Sequence, residues 1–208
     1  MGALWSLAPR IIIPTFFVSQ KIKTLNDPVD IAQTIAFSAL FVTSVVMAFS
    51  AEPWLSLIPG IAAWAYWNMM NDKPRLEVYR YTDWALTTPL MLLALLLANK
   101  ASLTTIVAVL AADGIMIGMG YLGAQAPDNT NKMVLFALGC AALVPILYVL
   151  TTMKKAKYAI YLTLAIWCLY PLVWYADEEA IVTKQTSHIT YSVMDVLAKV
   201  GLVNLLHL

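Results

Sequence analysis

The sequence predicts an all-α protein, a seven-transmembrane-helix bundle with a short N-terminal interfacial segment. Hydrophobic residues make up 61% of the 208 residues and charged residues only 12%, whereas soluble domains have about 45–50% and about 25%. So few charged side chains cannot cover the surface of a soluble protein of this size. Seven apolar stretches, separated by short polar segments, are long enough to cross the roughly 30 Å hydrocarbon core of a bilayer.

The predicted spans are residues 29–50, 54–71, 76–98, 102–124, 132–152, 156–176 and 186–207. The segments between them carry helix-end chemistry. Pro53 suits an early helical position, and Ser102 is a good N-cap for the fourth helix. Such short loops require consecutive helices to pack antiparallel. We therefore expect one helical domain over residues 29–208, no second domain and no enzymatic activity.

Residues 1–28 mix apolar side chains with Pro9, Pro14 and Arg10, a pattern too broken for a span. We expect an interfacial amphipathic segment; a signal peptide and an N-myristoylation site are the alternatives. The net charge of +1 gives no indication of nucleic-acid binding. Cys140 and Cys168 both lie in apolar runs, which argues against a disulfide framework or a zinc site.

Five ionisable residues fall deep inside predicted spans: Arg80, Asp83, Asp113, Asp195 and Lys199. Such residues are costly in a bilayer and indicate function. Asp195 and Lys199, four residues apart, share one face of the seventh helix. Arg80, Asp83 and Thr87 share a stripe of the third helix. If both faces point inward, two cations meet two carboxylates and the charges cancel. We then expect Asp113 to be protonated and hydrogen-bonded, because burial disfavours an unpaired carboxylate.

A buried lysine beside carboxylates has two interpretations. The first is a purely structural salt-bridge cluster, but removing its charges from water can cost more free energy than their attraction returns. A lysine in a desolvated pocket can instead form a Schiff base with an aldehyde. The imine stays protonated when a carboxylate lies beside it, which pairs Lys199 with Asp83, Asp195 or both.

Four long motifs carry a family resemblance. The third helix reads RYTDWALTTPL from Arg80 to Leu90, and the fourth reads ADGIMIG from Ala112 to Gly118. The sixth has the pattern Trp167-x-x-Tyr170-Pro171-x-x-Trp174, and the seventh has Asp195-x-x-x-Lys199. In this order the motifs resemble those of the microbial (type 1) rhodopsins, the retinal-binding seven-helix family that includes bacteriorhodopsin. The resemblance extends over all seven spans.

The resemblance implies all-trans retinal bound to Lys199 as a protonated Schiff base. Asp83 would be the primary counterion and proton acceptor, Asp195 the second counterion, and Arg80 the gate of the extracellular half. Three hydrogen bonds are also implied: Thr87 to Asp83, Thr88 to Asp113, and Tyr66 to Asp195. Residues matching those that line the polyene are Trp84, Met91, Met116, Leu143, Trp167, Tyr170 and Trp174.

Orientation comes from the same resemblance: the N-terminus lies outside and the C-terminus in the cytoplasm, in a multi-pass membrane protein. Loop charges do not support this choice, because the rule counts Lys and Arg and the cytoplasmic side would carry the smaller number. The resemblance also implies a homo-oligomer in the lipid bilayer, a trimer or a pentamer, that moves protons or small cations.

Three positions depart from the proton pumps of the family. Ala94 occupies the place of the carboxylate that returns a proton to the Schiff base. Ser187 replaces the proton-release glutamate nearest the last span. Glu52, at the start of the second helix, is either a helix-start acid stabilised by the helix dipole or a replacement donor or gate. An acid on the second helix and the small size are similar to some viral rhodopsins.

Three functions remain open at this point. Light-driven outward proton transport is favoured, because Arg80, Asp83, Thr87 and Asp195 are all present. A light-gated cation channel is compatible with the lack of a fixed donor at Ala94. A sensory photoreceptor is compatible with the slow cycle that Ala94 predicts.

Overall fold

The computed structural model describes residues 27–206. Seven α-helices lie in this part: α1 Pro28–Ala48, α2 Leu57–Asn71, α3 Leu76–Ala98, α4 Leu103–Gln125, α5 Asn129–Thr152, α6 Lys157–Glu178 and α7 Lys184–Leu206. The all-α seven-helix prediction is confirmed. The predicted interfacial segment, up to residue 26, lies outside the described residues, and the predicted domain boundary after residue 28 stays a prediction.

Six of the described helices are long and apolar enough to cross a membrane. The exception, α2, has 15 residues, or about 22 Å at 1.5 Å per residue. A 3₁₀ turn, Pro53–Ser56, precedes it and adds about 8 Å at 2.0 Å per residue. The predicted second span therefore begins as a 3₁₀ turn rather than as α-helix, since the amide of Leu55 bonds to the Glu52 carbonyl three residues back. Turn and helix together match the bilayer core.

Helix ends are fixed by side-chain caps. Ser102 accepts a hydrogen bond from the Thr105 amide at 3.1 Å, as the sequence predicts. Asp27 caps α1 through the Val29 amide at 2.9 Å. Each cap satisfies one of the amides that the first turn leaves without an intrahelical partner.

Consecutive helices pack side by side, and α1 also packs against α7, which closes the bundle. We call the end that holds Asp27 and the α2–α3, α4–α5 and α6–α7 connections the N-terminal end, and the opposite one the C-terminal end. At the C-terminal end, the Asn99 side chain accepts bonds from the amides of Lys154 and Lys155 at 3.0 and 2.7 Å. This joins the α3–α4 and α5–α6 connections.

The two halves of the bundle have different interiors. A continuous cluster of buried apolar side chains fills the C-terminal half, including Leu95, Ile160, Leu202 and Val203. The N-terminal half contains buried charged and aromatic side chains, among them Arg80 and Tyr191. Among the described residues, the buried charged side chains therefore lie near the middle of the bundle and in its N-terminal half.

Candidate functional site

The site is centred on Lys199, whose side chain extends from α7 toward α3. Its Nζ lies 2.8 Å from Oδ2 of Asp83 and 3.0 Å from Oδ1 of Asp195. All three side chains are at most 2% exposed. Charges this deep need partners, because an isolated buried ion is strongly disfavoured. The structure therefore brings the predicted lysine and both predicted carboxylates together.

The Asp195 carboxylate accepts hydrogen bonds from side chains of three other helices. It accepts hydrogen bonds from Tyr66 of α2 at 2.8 Å, Tyr170 of α6 at 2.6 Å and Trp84 of α3 at 3.2 Å. The Tyr66 bond was predicted, whereas those from Tyr170 and Trp84 add to the pocket role predicted for these residues. Because every one of these donors comes from another helix, Asp195 joins α2, α3, α6 and α7.

Asp83 has fewer partners than Asp195. Besides Lys199, it accepts a hydrogen bond from the Thr87 hydroxyl at 3.2 Å. The same hydroxyl lies 2.8 Å from the Asp83 carbonyl, four residues back in the helix, so its proton is shared between two acceptors. The Asp83 carboxylate is thus the less firmly hydrogen-bonded of the two.

Asp113 lies away from this cluster, on α4. It is 1% exposed and accepts a hydrogen bond from Thr88 at 2.9 Å, as predicted. Its other oxygen has no hydrogen-bond partner among the described residues. This environment suits the neutral acid that the sequence predicts. Thr88 faces the cavity described next, whereas Asp113 lies behind it.

An apolar cavity extends from Lys199 between α3, α4, α5 and α6. All seven residues predicted to line the polyene line it: Trp84, Met91, Met116, Leu143, Trp167, Tyr170 and Trp174. Tyr66 does not line it. The sequence analysis missed several wall residues, including Tyr81, Phe136, Cys140 and Tyr191. Helical spacing could have indicated Tyr191, since it stands four residues before Asp195 on the same face.

The side chain of Arg80 is buried, with 3% exposure. The sequence analysis expected Arg80 and Lys199 together to balance the charges of Asp83 and Asp195, and this prediction is wrong. Its Nη1 lies 2.7 Å from Oε1 of Glu77, and its Nη2 lies 2.9 Å from Nδ1 of His188. Its guanidinium lies 4.5 Å from the centre of the Tyr191 ring. Arg80 thus pairs with an acid one turn nearer the N-terminal end, and Lys199 alone stands between the two central carboxylates.

Both partners of Arg80 were missed, although the spacing could have indicated them. Glu77 lies three residues before Arg80, on the same face of α3. His188 lies seven residues before Asp195 and shares its stripe of α7. An ion pair within α3 satisfies Arg80 locally, so it does not need the central carboxylates. In the described residues, no cluster of three or more metal-ligating side chains exists.

The three positions that depart from the proton pumps of the family lie in different parts of the bundle. Ala94 is 5% exposed and belongs to the apolar cluster of the C-terminal half. Glu52 is exposed, and its carboxylate accepts a hydrogen bond from the Trp54 indole at 2.8 Å. Ser187 is fully buried and donates to the carbonyl of Lys184 at 3.0 Å. None of these three side chains contacts the central carboxylates.

Residues 24–208 match the family described as Bacteriorhodopsin-like protein. The chain belongs to this family. This confirms the resemblance to type 1 microbial rhodopsins and the multi-pass membrane protein that the sequence predicts. Residues 27 and 28, at the start of the described bundle, already fall within the matched region.

Individual relatives agree with this assignment. Bacteriorhodopsin of Halobacterium salinarum is 34% identical, with 70% of this chain and 66% of the relative aligned. This chain therefore spans just under two thirds of that protein's length. Two solved structures, each 26% identical, cover 86% of this chain: the thermophilic rhodopsin from Rubrobacter xylanophilus and the proton pumping rhodopsin AR2 from Acetabularia acetabulum. Their TM-scores are 0.78 and 0.77, with 94% and 93% of their own chains covered.

Proposed function

We propose that this protein is a retinal-binding, light-driven outward proton transporter. In this proposal Lys199 carries the chromophore, Asp83 receives the proton, and the N-terminal end faces the outside. The observation that carries the proposal is the position of the Lys199 nitrogen between two buried carboxylates, 2.8 and 3.0 Å away. A proton leaving this nitrogen meets an acceptor without crossing any gap.

The residues that line the cavity suit an apolar aldehyde. Most of its walls are aromatic and aliphatic, and Lys199 is the one amine among its lining residues. When bound through Lys199, all-trans retinal would supply visible absorption and the light-driven isomerisation that makes the Lys199 nitrogen a proton donor. Trp84 and Trp167 would hold the chain of the ligand from two sides of the cavity.

Asp83, rather than Asp195, is the proposed proton acceptor. Asp195 receives three hydrogen bonds from Tyr66, Tyr170 and Trp84, which stabilise its ionised form. Asp83 receives one shared bond, from Thr87. Protonating Asp83 therefore disrupts fewer hydrogen bonds than protonating Asp195, so the proton moves to Asp83.

Protons, rather than chloride, are the proposed cargo. The space beside the buried ammonium is occupied by the carboxylates of Asp83 and Asp195. A chloride ion placed there would be repelled by both. A proton needs no free site, since it transfers along an existing hydrogen bond.

The proposed direction follows from the difference between the two halves. Arg80 and its partners continue the polar region from Asp83 toward the N-terminal end. On the other side, Leu95, Leu202 and Val203 belong to a buried apolar cluster. This cluster also disfavours the cation channel, because a permeating ion would need a hydrated path through it.

Light-induced current under voltage clamp tests the proposal. A transporter drives outward current that persists against an opposing proton gradient, whereas a channel current reverses with the gradient, and a sensor gives none. Asp83→Asn should abolish the current while the pigment still forms. The control is Glu179→Gln, which removes an exposed carboxylate at the N-terminal end and should leave the current unchanged. A current that reverses at the equilibrium potential of an ion would contradict the proposal.

A further inference from the structure

A polar cavity lies at the N-terminal end, outside the central cluster. It has a volume of about 440 Å³ and is lined by Asp27, Gln33, Lys73, Glu77, Gln185 and His188, together with apolar side chains. Gln33 is 1% exposed, and its Oε1 has no hydrogen-bond partner among the described residues. We call this cavity the vestibule. Because Glu77 and His188 line it and also bind Arg80, Arg80 lies directly below its floor.

The contact between Arg80 and His188 fixes the state of the imidazole. A guanidinium has only donors, so Nδ1 of His188 must accept at this 2.9 Å contact. His188 is therefore neutral, and its ring proton resides on Nε2. The Arg80 side chain is held at two points, by the Glu77 carboxylate at Nη1 and by the His188 nitrogen at Nη2.

Six acids at this end are engaged with basic side chains. The pairs are Asp27 and Asp30 with Lys73, Asp72 with Arg75, Glu77 with Arg80, Asp177 with Lys184, and Glu178 with Lys132. Among these acids, Glu77 is the one that lies between the vestibule and Arg80.

We infer that Glu77 and His188 are positioning residues that hold Arg80 at the floor of the vestibule, through which the proton leaves. This inference rests on the proposed function for the direction of transport, but the arrangement around Arg80 can be tested without it.

The first test is independent of the chromophore. His207→Gln leaves His188 as the one histidine of the chain. Nitrogen-15 NMR of this variant, prepared without retinal, should show a neutral ring protonated on Nε2, with Nδ1 accepting a hydrogen bond. A ring protonated on Nδ1, or on both nitrogens at neutral pH, would overturn the inference whatever the protein transports.

The second test uses the dark absorption band. His188→Phe removes one of the two groups that hold Arg80, which allows its guanidinium to move toward the central carboxylates. The cation then weakens the negative field beside the Lys199 nitrogen and shifts the band to the red. Glu77→Gln should act in the same direction. His188→Gln keeps an acceptor for Arg80 and should restore the wild-type band, and Glu179→Gln is the charge-matched control at the same end.

Equal spectra for His188→Phe and wild type, or equal shifts for His188→Phe and His188→Gln, would refute the positioning role. Comparing these absorption spectra requires a pigment but no transport, so the result tests the positioning role separately from the proposed function.

Discussion

The apolar surroundings of Ala94 make its substitution the most informative perturbation of the proposed cycle. Ala94 stands eleven residues after Asp83 on α3, about 16 Å farther toward the C-terminal end at 1.5 Å per residue. It is buried among aliphatic side chains, so nothing at this position can return a proton to Lys199. We expect Ala94→Asp to supply an internal acid and to accelerate recovery at neutral pH.

The size of the effect follows from the supply of protons. A diffusion-limited encounter constant on the order of 10⁹–10¹⁰ M⁻¹s⁻¹, at about 10⁻⁷ M protons, gives a ceiling of roughly 10²–10³ s⁻¹. This ceiling falls about tenfold for each unit that the pH rises, since the proton concentration falls tenfold. The packed C-terminal half lowers the actual rate further. An internal carboxylic acid removes this dependence as long as it is protonated. Burying the carboxyl group introduced by Ala94→Asp without a hydrogen-bond partner costs about 1–3 kcal/mol of stability.

Flash photolysis over a range of pH measures the decay of the transient species whose Lys199 nitrogen lacks a proton. In wild type we expect the decay to slow about tenfold per pH unit. Ala94→Asp should give a faster and nearly flat profile. Ala94→Asn is the matched control, because it adds a polar group of the same size without a titrating proton. It should keep the wild-type slope.

Glu52 is the competing source of protons. Its carboxylate is exposed and bonded to the Trp54 indole, so we expect Glu52→Gln to leave the decay unchanged. A wild-type decay that is flat with pH and slows sharply in Glu52→Gln would make Glu52 the donor. A decay that is fast, flat and indifferent to both substitutions would refute the reasoning, since a donor elsewhere would then be present.

Three further outcomes are expected. Lys199→Ala should abolish the visible band of protein incubated with retinal, because it removes the amine that lines the cavity; an absorbing pigment in this variant would exclude Lys199 as the attachment point. Asp83→Asn should shift the band to the red and stop proton release, whereas an unchanged spectrum at neutral pH would make Asp195 the primary counterion. Hydrogen bonds from the Asn131 amide and side chain lower the pKa of Asp128, the N-cap of α5. Its stabilisation is therefore complete above the unfolded-state pKa and is lost as the pH falls through the folded-state pKa. Asp128→Ala should reduce thermal stability at neutral pH but much less in acid, and an equal loss at both would exclude the cap.

Several features of the site follow from local spacing along single helices. Asp195 and Lys199 share a face because they are four residues apart, and Thr87 reaches Asp83 for the same reason. The motif around Trp84 also predicted its place in the cavity wall, which the structure reproduces. Periodicity was sufficient for the shared helix faces, because it is a property of one segment, whereas the place of Trp84 in the cavity wall was implied by the family resemblance.

The sequence by itself determined the class of the fold, the number of helices and which charged residues are buried. A charged side chain within a membrane span is costly unless it faces the interior of the bundle. It did not determine which charges pair. Arg80 was expected to balance the central carboxylates, yet in the structure it binds Glu77 and His188. The pair with Glu77 lies within α3, but the contact with His188 depends on how α3 and α7 are placed against each other, which side-chain packing among several helices decides. The vestibule likewise forms where α1, the α2–α3 turn, the start of α3 and α7 meet, so no single segment of the sequence encodes it.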